Sequence, residues 1–479
     1  TICIKAGHYD NMRFFNFQGA VGAPIKVINC GGKVTLSNSG YSAGLVFENC
    51  RYFHVTGSGD DTLEYGISID GTPPGASGVV VTRFSSDFEI DHIEVKNTGF
   101  AGIMIKTDPG CNPATWQENF TMFDINVHHN YIHDTGAEGL YVGNSFWNYG
   151  MQVNCSGQVI TVYPHEIFGL EIHHNIIENT GADGLQYGCA PDAEVYSNIV
   201  ANTGVSPFAT SQNSGIQCSG GAGGNCYNNV VRDAGGTGII VLGHLGGNHF
   251  FNNLIVNSGG YGFFVNDFPG TMPGSEFVFI NNTIVNAGTD GMRFYNETNV
   301  NTVKNNAIVG TGTGRYIYYL QGATANTAAN FTAANLEDAQ FEDLENFRPQ
   351  AASPLVDSGS DVAMFGLDFD LDELPRPVHA AYDIGAYEVQ SNQPALKTPI
   401  LPDEFDIVYS SRQLQIASHA NAARCLVRIC DAAGRVVLSD NFEMEYARDL
   451  SLLMPGIYYV TCSQNSRATM TRKLVLKKK

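Results

Sequence analysis

Five segments of this chain share one pattern: VHHNYIHDTGAEGL, IHHNIIENTGADGL, CYNNVVRDAGGTGI, FFNNLIVNSGGYGF and FINNTIVNAGTDGM. In each, an Asn is followed by an aliphatic residue two positions on, Asn or Asp four on, and Gly six on. The Asn recurs as Asn130, Asn175, Asn198, Asn229, Asn253, Asn282 and Asn306. Its partners are Ile132, Ile177, Val200, Val231, Ile255, Ile284 and Ile308, then Gly136, Gly181, Gly204, Gly235, Gly259, Gly288 and Gly312. The Asn intervals are 45, 23, 31, 24, 29 and 24, a base unit of 23 or 24 residues with three longer excursions. One such unit cannot bury its own apolar face, so neighbours must stack into a continuous core. Apolar alternation over four or five residues, punctuated by Gly and Asn, predicts short strands joined by turns. At a fixed turn position Asn can bond to the next coil and tolerates left-handed backbone angles, which Gly supplies without a Cβ clash.

This arrangement resembles the right-handed parallel β-helix family, which includes pectate lyases, other polysaccharide lyases and alginate epimerases. The resemblance covers roughly residues 1–390, with APIKVINCGGKVTL and LVFENCRYFHVTG as earlier coils. The stretch SPLVDSGS…LDFDLDELPRPVHAAYDIGAYE (353–388) resembles the closing segment of bacterial β-helix proteins, with Leu371 where Gly is usual. Residues 391–403, containing Pro and Ser, read as a linker. Residues 404–479 then show short alternating strands, expected to form a small Ig-like β-sandwich. Its stations V-x-I-x-D-x-x-G-R (Val427 to Arg435), L-x-x-G-x-Y-x-V (with Gly456, Tyr458 and Val460) and a Lys-rich final strand resemble the type IX sorting domain of Bacteroidota. That resemblance implies the type IX machinery as a partner, and a location outside the cell or on its outer surface.

Charge narrows the ligand. The net charge is −21. From Glu404 onward 11 Lys/Arg face 7 Asp/Glu, and the remainder holds 15 basic against 40 acidic residues. So acidic a helix lacks the basic footprint that nucleic acid requires. A polyanionic sugar would need Ca²⁺ as a bridge, whereas a neutral polysaccharide meets no repulsion; no Asp triad set out for Ca²⁺ and no other metal-ligand motif is evident. The 11 cysteines include no CxxC pair, so disulfides and small buried thiols are expected rather than zinc. No apolar run is long enough to span a bilayer. The chain starts at Thr1, so the start is expected to be processed or trimmed, with any signal peptide outside this numbering.

Coil alignment locates the expected site. Insertions after Thr107 and after Gly143 leave the same corner of adjacent coils and contain both tryptophans, Trp116 and Trp147. A third, after Val265, leaves that corner several coils on. Cys111 and Cys155 could brace the first two. Long loops on a rigid scaffold concentrate function, and an indole face suits the C–H face of a sugar. Tyr141 and Tyr187 join the Trps as candidate sugar contacts. A second line, two residues before each ladder Asn, comprises His128, His173, Tyr196, Tyr227 and Phe251 and should face outward as a track for an extended polymer.

For acid–base chemistry, YPHE (Tyr163 to Glu166) resembles the DPHE motif of mannuronan C5-epimerases. Tyr163 replaces its Asp, leaving His165 and Glu166. Glu138, Asp183 and Asp290 share one coil position before Gly, and Glu138 and Asp183 fall on adjacent coils, as paired-carboxylate hydrolysis requires. Lys106, at the start of the first long loop, is a candidate lyase base. No polygalacturonase motif set or nucleophile triad is present, and GHL at 243–245 is too short to count. The expectation is a polysaccharide-directed protein of lyase, glycosidase or epimerase type, the alternative being a non-catalytic glycan-binding or adhesive surface protein.

Overall fold

The computed structural model describes residues 1–242, 244–267, 271–274 and 276–390. Beyond these it describes 405–410, 413–418, 425–431, 436–442, 445–450, 453, 456–464 and 467–476. The 391–403 stretch read as a linker, Gly243 of the GHL triplet, part of the insertion after Val265, Gly434 and Arg435 of the tail motif, and the last three lysines lie outside the described residues. The chain separates into two units, Thr1–Asn392 and Gln393–Lys479.

The first unit is a parallel β-helix. One coil runs Thr121–His128, turns at His129 and Asn130, continues as Tyr131–Thr135, turns again, and ends in Leu140–Val142. Each strand pairs in parallel with its equivalent one coil on, Val127 with Ile172, Ile132 with Ile177 and Leu140 with Leu185. Three stacks of short strands result, and the inward residue of each strand enters one core that runs from Ile4 to Ala323. The earlier coils anticipated from sequence are present as Ile25–Leu36, Ala43–Glu48 and Arg51–Thr56. Stacking repeats down to ring geometry, since Phe250 and Phe279 lie 5.1 Å apart and nearly parallel inside the core.

Two adjacent residues make the turn between the first and second stacks. The first is left-handed from the coil of His92 onward: His92, His129, His174, Ser197, Asn228, Asn252, Asn281 and Asn305 have φ between 51° and 56°, and Ala329 has 48°. The second is the ladder Asn, which is buried at 0% exposure from Asn130 to Asn306. Each ladder amide donates Nδ2 to the Oδ1 of the next, at 3.0 Å for Asn229 to Asn253 and 2.9 Å for Asn306 to Asn330, so the ladder extends one coil beyond the sequence pattern. The same Oδ1 also accepts the backbone N–H of the preceding ladder Asn. The expectation that the ladder Asn takes the left-handed angle is therefore corrected: its side chain is needed for the ladder, and its predecessor makes the bend.

The glycines need a similar correction. Of the seven register glycines only Gly204 has positive φ, at 69°. The others permit contact between coils: a Cβ on Gly181 would stand 2.3 Å from the carbonyl oxygen of Gly136.

The 353–388 segment doubles back along the outside of the later coils. The left-handed asparagines receive it, with Asn228 Nδ2 donating to Asp370 O (3.0 Å), Asn252 to Phe369 O (2.8 Å), Asn281 to Asp383 O (2.8 Å) and Asn305 to Ser360 O (2.9 Å). Arg376, fully buried, pairs with Glu388 at 3.2 Å and donates to Asn252 Oδ1 at 2.6 Å. In the turn where Leu371 replaces the usual Gly, the left-handed residue is Glu373, with φ of 61°.

The second unit has a three-stranded antiparallel sheet (Phe405–Ser410, Gln413–Ser418, Glu445–Asp449) and a four-stranded one (Val436–Phe442, Cys425–Asp431, Gly456–Gln464, Arg467–Leu476). Leu414 and Ile416 from the first meet Val427, Ile429 and Val460 from the second in one core.

Asn253→Ala should lower stability by about 3 kcal/mol, because it strands buried donors on Asn229 and acceptors on Cys226 and Asn282. Denaturant unfolding followed by tryptophan fluorescence checks this, with Asn326→Ala at an exposed site leaving the midpoint unchanged.

Candidate functional site

The two loops that leave the Thr107 and Gly143 corners are joined. Cys111 and Cys155 form the anticipated disulfide, and Gln117 N donates to Tyr163 O at 3.1 Å. The longer loop contains a hairpin, Met151–Cys155 with Gln158–Val162. A second disulfide, Cys3–Cys30, ties the first coils. Cys50, Cys189, Cys218 and Cys226 are buried thiols, as expected of small apolar residues.

Both indoles are half-buried and hold loops in place. Trp116 Nε1 donates to Gly110 O at 2.8 Å. Trp147 lies against Gly221, where a Cβ would come within 2.6 Å of the ring, and Asn148 similarly covers Gly220. The longer loop thus reaches forward across two coils. From the other end of these strands, residues 205–213 reach back. Val205 N and Ser206 N donate to Thr180 O and Gly181 O, and Phe208 meets Phe100 with ring centroids 6.3 Å apart.

Between these loops lie the outward residues of the third strand stack. Register places Met104, Tyr141, Gln186 and Gln217 in line. Lys106 Nζ stands 4.8 Å above the Tyr141 ring and 3.1 Å from Asp108 Oδ1. Tyr141 Oη and Gln186 Nε2 both bond to Ser145 Oγ at 2.9 Å. Glu138 and Asp183 occupy equivalent positions on adjacent coils just before these strands, at 1% and 0% exposure. Asp183 Oδ1 accepts the N–H of Ser214 at 2.6 Å. Asp183 Oδ2, Glu138 Oε2 and Gln186 Oε1 are buried with no hydrogen-bond partner among the described residues, as are both amide atoms of Asn144. Burial, reinforced by the Glu138 charge, pushes the Asp183 carboxyl up to about 7. Burial also raises Glu138, with Lys106 opposing it.

Asp290 supplies the internal comparison. At the same coil position its carboxylate takes Arg293 Nε at 2.6 Å, Arg315 Nε at 2.9 Å and the Thr313 hydroxyl, and these partners outweigh burial and lower its pKa. Nothing comparable neutralises Asp183. Buried polar groups without partners, beside a carboxyl shifted into the neutral range, mark this corner as the candidate site.

The structure brings Lys106, Glu138, Tyr141 and Asp183 together and adds Gln186, Ser145 and Asp108. Other expectations are corrected. Tyr187 pairs with Val142, not Tyr141, so strand alternation turns it inward at 1% exposure beside Cys218 and Cys226. Its hydroxyl is sealed from any ligand. His165 is fully buried; its Nε2 accepts Thr107 N–H at 3.0 Å and its Nδ1 lies 3.0 Å from Glu166 O. Both nitrogens are engaged, and burial lowers the ring to about 4, so His165 fastens the loop base. Glu166 is half-buried at the head of its strand, and burial raises its carboxyl.

His128 and His173 lie on a different strand stack, away from these loops. The outward column is continuous: His128, His173, Tyr196, Tyr227 and Phe251 stack at 4.7, 4.7, 5.0 and 4.7 Å. Rings stacked face to face offer only edges to a sugar, and Phe369 of the closing segment covers the Tyr227–Phe251 end. The column is therefore shorter than the polymer track inferred from sequence. Sequence reasoning also missed an exposed ring pair, Phe123 and Phe168, 6.3 Å apart on adjacent coils. Aligning ENFTMFDINVHHN with YPHEIFGLEIHHN exposes it.

Among the described residues no helix is long and apolar enough to cross a membrane. The family described as the right-handed β-helix region matches residues 158–333, and the secretion system C-terminal sorting domain matches residues 410–477. No curated protein matches the chain. Among solved structures it is similar to pectate lyase Pel9A, with 14% identity and TM-score 0.41 over 81% of this chain and 87% of that one. A mutant of the periplasmic alginate epimerase AlgG shows 11% identity and TM-score 0.41 over 67% and 77%. A lacto-N-biosidase from Eubacterium ramulus shows 12% identity and TM-score 0.41, over 68% of this chain and 61% of that one. The parallel coils and the two family matches together identify a right-handed parallel β-helix protein whose sorting domain marks it for type IX export to the cell surface or beyond.

Proposed function

We propose that this exported helix is a polysaccharide-directed enzyme that cleaves glycosidic bonds at the corner between its long loops. The observation that carries this reading is the Glu138–Asp183 pair: two carboxyls on adjacent coils, each with a buried oxygen that has no hydrogen-bond partner among the described residues. Strands one coil apart are about 4.8 Å apart, which suits two carboxyls acting on one glycosidic bond. Asp183, raised to about 7, keeps its proton far above the ordinary carboxyl range, is about half protonated at neutral pH, and serves as the general acid toward the leaving oxygen. Glu138, beside the Lys106 ammonium, is the carboxylate of the pair. Tyr141 and Gln186 line the approach, and the acidic surface favours a neutral glycan over a polyuronate.

One observation favours the second reading, a glycan-binding surface protein without turnover: both carboxyls are almost fully covered and both indoles are committed to loop packing. Product analysis by mass spectrometry, after incubating the full chain with a panel of neutral polysaccharides, separates the two. New oligosaccharides are expected from the native chain. Asp183→Asn and Glu138→Gln should lower their yield about 100-fold or more while glycan binding is kept. Intact polysaccharides with retained binding would establish the second reading.

A stability measurement tests the Asp183 shift without any substrate. An unfolded Asp titrates near 3.9, so between about 4 and 7 the folded chain holds a proton that the unfolded chain releases. This group's contribution is present at low pH and lost as pH rises through about 7. Asp183→Asn keeps the acceptor for Ser214 N–H and removes the titration, so its thermal midpoint should fall less than the native midpoint between pH 5 and 8.

A further inference from the structure

The left-handed turn column changes character along the helix. From Asn228 to Asn305 it is Asn, and every side chain is taken up by the closing segment. In the earlier coils the same position is His92, His129 and His174, which receive no hydrogen bond from the described residues of the closing segment, although the Glu373 charge acts on His174. Their rings stack on one another, His92 to His129 at 5.5 Å and His129 to His174 at 4.9 Å. They line an open groove of about 290 Å³ with Tyr65 and Glu64. Beside them runs the outward column containing His128 and His173, with ring centroids 4.7 Å apart. Two histidine columns thus lie side by side, and they meet through nitrogen. His128 Nδ1 is 2.7 Å from His129 Nδ1, and His173 Nδ1 is 2.8 Å from His174 Nδ1.

The surrounding carboxylates decide which nitrogens are available. Glu89 Oε1 lies 2.9 Å from His128 Nε2, so that nitrogen donates and the His128 Nδ1 lone pair points at His129. A carboxylate behind an imidazole is the usual outer support of a metal-binding histidine. Two imidazole nitrogens facing each other at this distance need one proton, or one cation, between them. A neighbouring acidic cluster, His54, Glu89 and Asp91, is less suited, because Asp91 already accepts from His54, His92 and Thr56.

We propose that His128, His129 and His173 bind one divalent transition-metal ion of the Zn²⁺ class. Their ring nitrogens lie within 4.8 Å of one another. Around a tetrahedral ion with Zn–N near 2.1 Å they would settle about 3.4 Å apart; because the His128 and His173 rings stack parallel at 4.7 Å, this takes a tilt of those two rings toward each other as well as rotation of the exposed His129 ring. Three imidazoles suit Zn²⁺, Ni²⁺ or Cu²⁺ rather than Ca²⁺, and solvent from the groove completes the coordination. The site is on a different strand stack from Glu138 and Asp183, so it stands or falls independently of the enzymatic reading.

The test is calorimetric titration of the chelator-treated full chain with Zn²⁺, with Co²⁺ absorption as a second readout. Substitutions taken from the protein's own later coils preserve the fold: His129→Asn places the residue found at Asn228, and His173→Tyr the residue found at Tyr196. One ion per chain is expected, with Kd near or below about 10 µM. Each variant should weaken binding about tenfold or more, while His379→Ala, an exposed histidine elsewhere, leaves it unchanged. Absence of saturable binding, or binding that survives both substitutions, would overturn the proposal.

Discussion

Everything in this helix depends on a line of buried amides. Each ladder Asn accepts from the coil before it and donates to the coil after it, at about the spacing of neighbouring strands. A primary amide suits this because it carries donors and an acceptor on one short, planar group. Asp would lose the donors and Ser could not span the gap. Once the ladder sets the rise, equivalent residues must stack, and that stacking places Phe250 over Phe279 in the core and His128 beside His173 outside it.

The same constraint explains where chemistry can be put. A coil cannot move relative to its neighbours without breaking the ladder, so variation enters only at turn positions and through loops. The loops after Thr107 and Gly143, stapled by Cys111–Cys155, and the 205–213 loop converge on the third strand stack. There Asp183 has no counterpart, among the described residues, to the arginines that hold Asp290, and Glu138 has only the charge of Lys106 nearby. An oxygen left unsatisfied beneath a roof of loops is expensive in stability. Such expense is characteristic of sites shaped for a ligand.

Much of this was legible in the sequence, because a repeat reports its own register. The Asn, aliphatic and Gly positions defined the coils, the Cys111–Cys155 pair followed from the shared corner, and the outward histidine–tyrosine column followed from alternation. What failed was single-residue register. Tyr141 and Tyr187 both read as ligand contacts, yet the repeats GLYVG and GLQYG set Tyr141 against Gln186, as the strand pairing does, and one step along a strand exchanges outside for inside. His165 failed for another reason: only the fold shows that both its nitrogens are already bonded. The side-by-side meeting of the two histidine columns was also hidden, since it depends on the bend made by the residue before each ladder Asn.

The closing segment sets a distinct order on assembly. Ladder bonds connect residues 23 to 45 positions apart, so the coils can accumulate one after another from contacts of modest sequence separation. The bonds from Asn228, Asn252 and Asn281 to the closing segment reach across 142, 117 and 102 positions. Closing such long loops comes late in folding. Until residues 353–388 have emerged, the flank of the last coils presents a row of amides bonded only to water, and the sorting domain lies further still along the chain. The chain therefore carries its own timer: the side of the helix is sealed by sequence made just before the export signal, so a molecule complete enough to be recognised for secretion already contains its lock.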